Sequence, residues 1–161
     1  MKRFYPVLFV LFLLSACADL PKFDTSKVDR TILPTQVIAS PSAHTGKQII
    51  WGGVILSGKN LKESTQLEVL AYPLDDDGWP LRDKKPLGRF IVSQQGYLET
   101  ADYAKNRVLT VVGTIMGTEK GKVGEASYRF PVILAQQIHL WEQFEQKTST
   151  GFHFGIGVMY H

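Results

Sequence analysis

Apolar and polar residues alternate along much of the chain after its first third, with the two-residue period that is typical of β-strands. In 66–72, Leu67, Val69 and Ala71 share one face and Glu68 lies on the other. The residues from 107 to 115 are apolar on both faces, which predicts a central strand. The predicted strands are 48–56, 66–72, 88–92, 107–115 and 126–134, the last of which runs toward a sixth apolar stretch at 138–141.

Turns separate these strands, and no long amphipathic helix lies between them. Five or six short strands of this kind predict an all-β fold, either an antiparallel barrel or a sandwich. The adjacent Gly52 and Gly53 in the first strand predict a β-bulge or the sharp coiling of a small barrel. Ser57 to Asn60 predicts a turn.

The C-terminal residues 146–161 form a tail with a further predicted strand, because 152–160 alternates aromatic or aliphatic residues with small or polar ones. This strand would join the same sheet, stay partly ordered, or present an edge to another chain or to the membrane interface. His153 and His161 lie on the same face of it and could meet a weakly held metal.

The N-terminus has a different pattern: Lys2 and Arg3 precede an apolar run at 4–14, which leads into Leu14-Ser15-Ala16-Cys17. This is the layout of a bacterial lipoprotein signal peptide that covers 1–16 and is cleaved between Ala16 and Cys17. A transmembrane anchor is the first alternative, but the apolar run is about half the ~20 residues that a span requires. A secretory signal with an incidental cysteine is the second.

The only cysteine, Cys17, would then become the first mature residue. Its thiolate can accept a diacylglyceryl group, and cleavage frees an amine for an N-acyl chain. In bacterial lipoproteins, which this segment resembles, Asp after the cysteine favours inner-membrane retention, so Ala18 favours the outer membrane. The polar, proline-broken 17–46 predicts a flexible tether, and 47–145 predicts the β domain.

The composition of the chain argues against several classes of function. Without Lys2 and Arg3, the 18 basic side chains become 16 against 15 acidic ones, so nucleic acid is not an expected partner. With Cys17 acylated no thiol remains, which excludes a disulfide, a cysteine-based zinc site and cysteine catalysis. No cofactor is expected apart from the covalent acyl chains.

The candidate metal-binding, phosphate-binding and catalytic motifs lack residues that these motifs require at fixed positions. A calcium loop that begins at Asp75 would need an oxygen ligand at Trp79 and a glutamate at Pro86, so 75–78 predicts a solvated hairpin turn. A phosphate loop that ends at Lys122 would need a glycine at Met116. The chain has no Gly-x-Ser-x-Gly motif of a serine hydrolase, and no catalytic residue or metal site is predicted.

Five aromatic residues could instead form a face on which a glycan stacks, although packing in the core and at its rim is the commoner use of such residues. They are Trp51, Tyr72, Trp79, Tyr97 and Trp141.

Several ordered motifs behind Cys17 give the chain a family resemblance. They are Trp51-Gly52-Gly53, 67–74, 88–90, 107–113, 124–128, 131–135 and 138–141. With these motifs, 17–141 resembles the Slp family of starvation-inducible outer-membrane lipoproteins of Gram-negative bacteria. The resemblance implies a small OB-like barrel on an acyl anchor, a link to envelope integrity under starvation and acid stress, and no catalytic residues.

Two functions follow as hypotheses. The first is a non-catalytic lipoprotein of the cell outer membrane, which acts through its acyl chains and an envelope protein partner to maintain integrity or stress resistance. The second is a lipid-anchored OB-like module that binds a glycan, a lipid or a small metabolite.

Overall fold

The structure, a computed structural model, describes residues 22–142 and confirms the all-β class. Its elements are α1 (Pro34–Ala39), α2 (Pro41–His44), β1 (Gln48–Asn60), β2 (Ser64–Tyr72), β3 (Gly88–Gln95), β4 (Val108–Val123) and β5 (Ala126–Leu140). The signal peptide, Cys17 and the C-terminal tail lie outside the described residues. Between residues 22 and 142, no helix combines the length and apolar character that a membrane span needs.

The five strands form a closed barrel in the order β1-β2-β3-β5-β4, which is the strand order of an OB fold. Four of the pairings are antiparallel, as expected. The pairing of β3 with β5 is parallel instead and extends only from Ile91 and Val132 to Ser93 and Leu134. The parallel pairing arises because 96–107 carries the chain across to β1, where β4 pairs, and the β4–β5 hairpin then returns β5 alongside β3.

The alternation in β2 places Leu67, Val69 and Ala71 inside the barrel, where each is buried. On β4, Val111 points into the same core, and the outward-facing Val112 is also buried. The expectation that β4 is a central strand with two covered faces is therefore confirmed.

Strand ends differ from the sequence prediction. Ser57 to Asn60 continues β1 rather than forming a turn, since Gly58 and Lys59 pair with Leu67 and Gln66. The residues from 117 to 122, tested above as a phosphate loop, belong to β4 and pair with β5. Glycine and asparagine signalled turns here, but pairing with the neighbouring strand satisfies the backbone equally well.

The bulge expected at Gly52 and Gly53 lies further along β1, between Ile55 and Ser57. The two glycines stay in register with β2 and allow the backbones to approach closely. A Cβ atom at Gly53 would overlap the carbonyl oxygen of Leu70. Close approach of β1 and β2, rather than a bulge, is therefore what the structure shows at Gly53.

The prediction of a flexible tether is wrong for residues 22–46. Ile32 and Val37 are buried in the barrel core, and the indole Nε1–H of Trp51 donates to the Ile32 carbonyl oxygen at 2.8 Å. The backbone of Asp29 bridges to Ile49 of β1. Helix α1 packs against β3, β4 and β5, so this segment closes one end of the barrel. Pro34 occupies the first turn of α1, where proline starts a helix rather than breaking one.

Candidate functional site

A cavity of about 330 Å³ opens beside the closed end of the barrel. The N-terminal segment, β1, the end of β2 and the residue before β3 form its wall. The wall is mainly apolar and includes Ile32, Leu33, Ile50, Trp51, Tyr72 and Leu87. A concave, mostly apolar pocket with a few polar groups is the usual form of a small-molecule site.

Three charged residues from two segments of the chain line this cavity. Arg30 comes from the N-terminal segment, and Asp75 and Asp76 come from the turn after β2. The ion pairs within residues 22–142 are Arg89 with Glu68 and Lys84 with Asp83, so none of the three cavity charges has an oppositely charged partner within 4.0 Å there. The cavity therefore combines an apolar interior with unneutralised charges of both signs.

The turn that carries the two aspartates is the hairpin expected from the sequence. Leu74 and Pro80 bridge across it, and the Asp75 Oδ1 atom accepts a hydrogen bond from the Trp79 backbone N–H at 2.8 Å. Gly78 has a φ of 88°, a conformation that favours glycine, and its backbone lies under the ring of Phe23. These contacts hold the turn in place.

Thr110 fixes the same turn to the barrel wall. Its hydroxyl donates to the Gly78 carbonyl oxygen at 2.6 Å and accepts a hydrogen bond from the Trp141 indole at 3.0 Å. Thr110 is fully buried, so both bonds satisfy groups that would otherwise lose water without compensation.

A second feature is a chain of aromatic contacts on the outside of the barrel. Trp79 meets Trp141 edge to face with ring centres 4.9 Å apart, and His139 meets Trp141 at 4.4 Å. Phe23 of the N-terminal segment is the last member of this chain and contacts His139, with ring centres 6.1 Å apart. These rings pack on one another and cover Thr110.

The five aromatic residues proposed for stacking do not form one face. Trp51 is buried in the core against Phe90, and both Trp51 and Tyr72 line the cavity. Trp79 and Trp141 pack together, whereas Tyr97 is 69% exposed on the connection after β3. Packing, the alternative use, describes Trp51, Trp79 and Trp141.

The cavity residues that sequence reasoning missed are Arg30, Ile32 and Leu33, because their segment was predicted to be a tether. Pro34 at the start of α1 is compatible with a helix as well as with a linker, and the burial of Ile32 and Val37 is apparent only in the structure. Cys17, Ala16 and Ala18 lie outside the described residues. Within 22–142, no three His, Cys, Asp or Glu side chains are grouped as metal ligands.

His139 supplies a pH prediction. Burial lowers its pKa below the ordinary 6.5, because the imidazolium would lose water. The unfolded chain therefore binds this proton more readily than the folded chain. The stability that the neutral ring contributes is present above pH 6.5 and declines as the pH falls through and below that value.

We expect His139→Gln to reduce the loss of stability between about pH 7.5 and pH 5. Urea midpoints of the variant and the wild type at both pH values measure this difference. His139→Asn removes the same imidazole with a shorter amide and should reduce the loss of stability in the same way. An unchanged pH dependence in His139→Gln would contradict the assignment.

The comparisons with known proteins agree on a family. The model of the outer membrane lipoprotein Slp family matches residues 14–160. Outer membrane protein Slp of Escherichia coli K12 is 30% identical over 96% of this chain and 84% of its own length. The uncharacterized lipoprotein YeaY of the same organism is 29% identical over 69% of this chain and 57% of its own.

A protein of Haemophilus influenzae, described as uncharacterized, is 36% identical over 59% of this chain and 52% of its own. Among solved structures, a small single-stranded DNA-binding protein from Streptomyces coelicolor aligns with a TM-score of 0.36 and 13% identity, over 59% of this chain and 94% of its own. A likeness this distant carries no information about what this chain binds.

Proposed function

The chain belongs to the outer membrane lipoprotein Slp family, and we propose that it acts as a non-catalytic lipoprotein that maintains the envelope from the membrane surface. Membership confirms the resemblance drawn from the sequence and the outer-membrane location. In the proposal, Cys17 carries a diacylglyceryl group and an N-acyl chain, and the barrel contributes to envelope integrity or stress resistance.

The observation that carries the proposal is the short distance along the chain between Cys17 and the folded domain. The Lys22 carbonyl oxygen accepts a hydrogen bond from the Gln137 side chain of β5 at 3.0 Å, so the N-terminal segment is already attached to the barrel there. The five residue-to-residue steps from Cys17 to Lys22 span at most ~18 Å. An acylated Cys17 would therefore hold the barrel against the membrane rather than at the end of a long tether.

The side chains support a non-catalytic role. Nucleophilic catalysis by a hydroxyl needs a base within hydrogen-bond reach. Of the two described histidines, His139 lies between Phe23 and Trp141, and His44 has a buried Nδ1 atom that finds no hydrogen-bond partner within 22–142. The two Escherichia coli relatives, too, are named as an outer membrane protein and a lipoprotein rather than as enzymes.

Cys17→Ser tests the anchor. We expect the variant to lack acyl chains and to accumulate as precursor or soluble protein, because a serine hydroxyl is a far weaker nucleophile than a thiolate. Mass spectrometry of wild-type protein should find a triacylated N-terminus at Cys17. An unmodified thiol at this position would overturn the anchor.

The role itself is tested in a strain that lacks the gene, by the uptake of a hydrophobic dye across the outer membrane. Wild-type protein should restore the barrier, whereas Cys17→Ser at equal abundance should not. Restoration by the unanchored variant would contradict the proposed dependence on the membrane surface. Ala18→Asp is a second arm and should shift part of the protein to the inner membrane, as density-gradient fractionation would reveal.

The cavity favours a second candidate function, a lipid-anchored binding module. Its volume and apolar wall are those of a small-molecule pocket, although it lies at the end of the barrel rather than on a stacking face.

A further inference from the structure

We propose that the cavity beside α1 binds a small zwitterionic amphiphile. Such a molecule has one short apolar chain or ring and a head that carries both an ammonium group and a phosphate or carboxylate. The proposal goes beyond the envelope role, because it requires the folded residues 30–87 and does not depend on the acylation of Cys17.

The volume and the apolar wall of the cavity determine the size of the apolar part of the ligand. About 330 Å³ is near the lower limit of small-molecule pockets, so it accommodates one short chain or ring rather than two acyl chains. Leu33, Tyr72 and Leu87 are half-buried on its wall and offer apolar surface to a ligand. The indole N–H of Trp51 is already bonded to Ile32, so this ring demands no polar partner from the ligand.

The charged residues of the cavity indicate the chemistry of the ligand's head group. Asp75 uses its Oδ1 atom for the Trp79 N–H, which leaves its Oδ2 atom as an acceptor, and Asp76 is exposed. Both can accept hydrogen bonds from an ammonium group. Arg30 can donate to a phosphate or carboxylate, since no carboxylate within residues 22–142 lies within 4.0 Å of its guanidinium.

A zwitterion satisfies this arrangement better than an ion of either sign. An anion alone would bind Arg30 but would meet two carboxylates at the same cavity, and a cation alone would leave the guanidinium unused. A ligand with both charges can pair with Arg30 and with the two aspartates, and its chain covers the apolar wall.

Four probes separate the parts of this proposal: hexyl phosphoethanolamine, hexyl phosphate, hexylammonium and phosphoethanolamine without a chain. Isothermal titration of the full-length protein in a nonionic detergent compares their affinities. We expect hexyl phosphoethanolamine to bind about three- to fivefold more tightly than either singly charged hexyl probe, and phosphoethanolamine to bind more weakly still.

Variants then assign each charge. Arg30→Gln should weaken hexyl phosphoethanolamine and hexyl phosphate by about three- to fivefold and leave hexylammonium unchanged or tighter. The double variant Asp75→Asn, Asp76→Asn should weaken hexyl phosphoethanolamine and hexylammonium and leave hexyl phosphate unchanged or tighter. The amide introduced by Asp75→Asn retains an oxygen that can accept a hydrogen bond from the Trp79 N–H. Arg82→Gln and Asp77→Asn are the matched controls, because both residues are exposed and neither belongs to the cavity wall.

Leu33→Trp tests the apolar interior, since the larger ring would occupy the cavity and reduce the binding of every hexyl probe. An unchanged melting temperature would show that this variant is folded. Equal affinity of hexyl phosphoethanolamine for wild type and Arg30→Gln would overturn the proposal, as would the absence of heat from every probe at its solubility limit.

The same titration identifies the source of the ligand. Competition by detergent micelles that contain single-chain lysophosphatidylethanolamine, and not by micelles that contain lysophosphatidylglycerol, would assign the cavity to a membrane lipid. A lack of competition would assign it to a soluble amphiphile of the same chemistry, and both results support zwitterion binding.

Discussion

Replacing Val111 by Asp is expected to abolish the cooperative unfolding transition of the domain. Val111 is fully buried in the first part of β4, where it pairs with Trp51 of β1 and Ile138 of β5. A carboxylate at this position would lose its water and would either stay ionised without a partner or take up a proton. The cost is several kcal/mol, which is comparable with the whole stability of a domain of this size.

Met116→Asp is the matched control, because it introduces the same side chain on the same strand at a residue that is 56% exposed. We expect this variant to unfold within about 1 kcal/mol of wild type. Thermal melts followed by circular dichroism measure both variants. A melting temperature for Val111→Asp within a degree or so of the wild-type value would contradict the barrel core described here.

Gly53→Ala is expected to have the second largest effect. The added Cβ atom would overlap the Leu70 carbonyl oxygen of β2, which belongs to the backbone and cannot rotate away as a side chain can. Either β1 and β2 must move apart or their hydrogen bonds must distort, and the barrel has little freedom for either. We expect a loss of about 2 kcal/mol or more in the free energy of unfolding.

Gly58→Ala provides the comparison on the same strand. There the nearest atom to an added Cβ is the Leu67 Cδ2 atom at 3.0 Å, and this flexible side chain can shift. We expect a change of about 1 kcal/mol or less in the free energy of unfolding, measured by urea titration. Equal losses at the two glycines would mean that close approach of the strands is not the function of Gly53.

The strands were predictable because their burial repeats every two residues, as in β2, where Leu67 and Val69 are buried and Glu68 is not. The parallel β3–β5 pairing was not predictable, since it depends on where the chain crosses between β3 and β4. Strand ends were misplaced where Gly58 and Gly117 lie within strands instead of ending them.

The cavity was missed for a different reason. Its wall joins Arg30 and Leu33 to residues after β2 that are about 40 positions later in the chain, and neither segment has a periodic pattern. Short polar segments with prolines are typical of linkers, and only burial of Ile32 and Val37 against the barrel distinguishes this one. This segment is folded because of its tertiary packing on the barrel, which local sequence patterns do not encode.

The attachment of Lys22 to Gln137 also affects when the domain can fold. The two residues are 115 positions apart, and β1 can close the barrel only after β4 has arrived. Such non-local pairing delays folding until almost the whole of residues 22–142 is present. Folding in order from the N-terminus is therefore not open to this domain, because its first attached residue waits for its last strand.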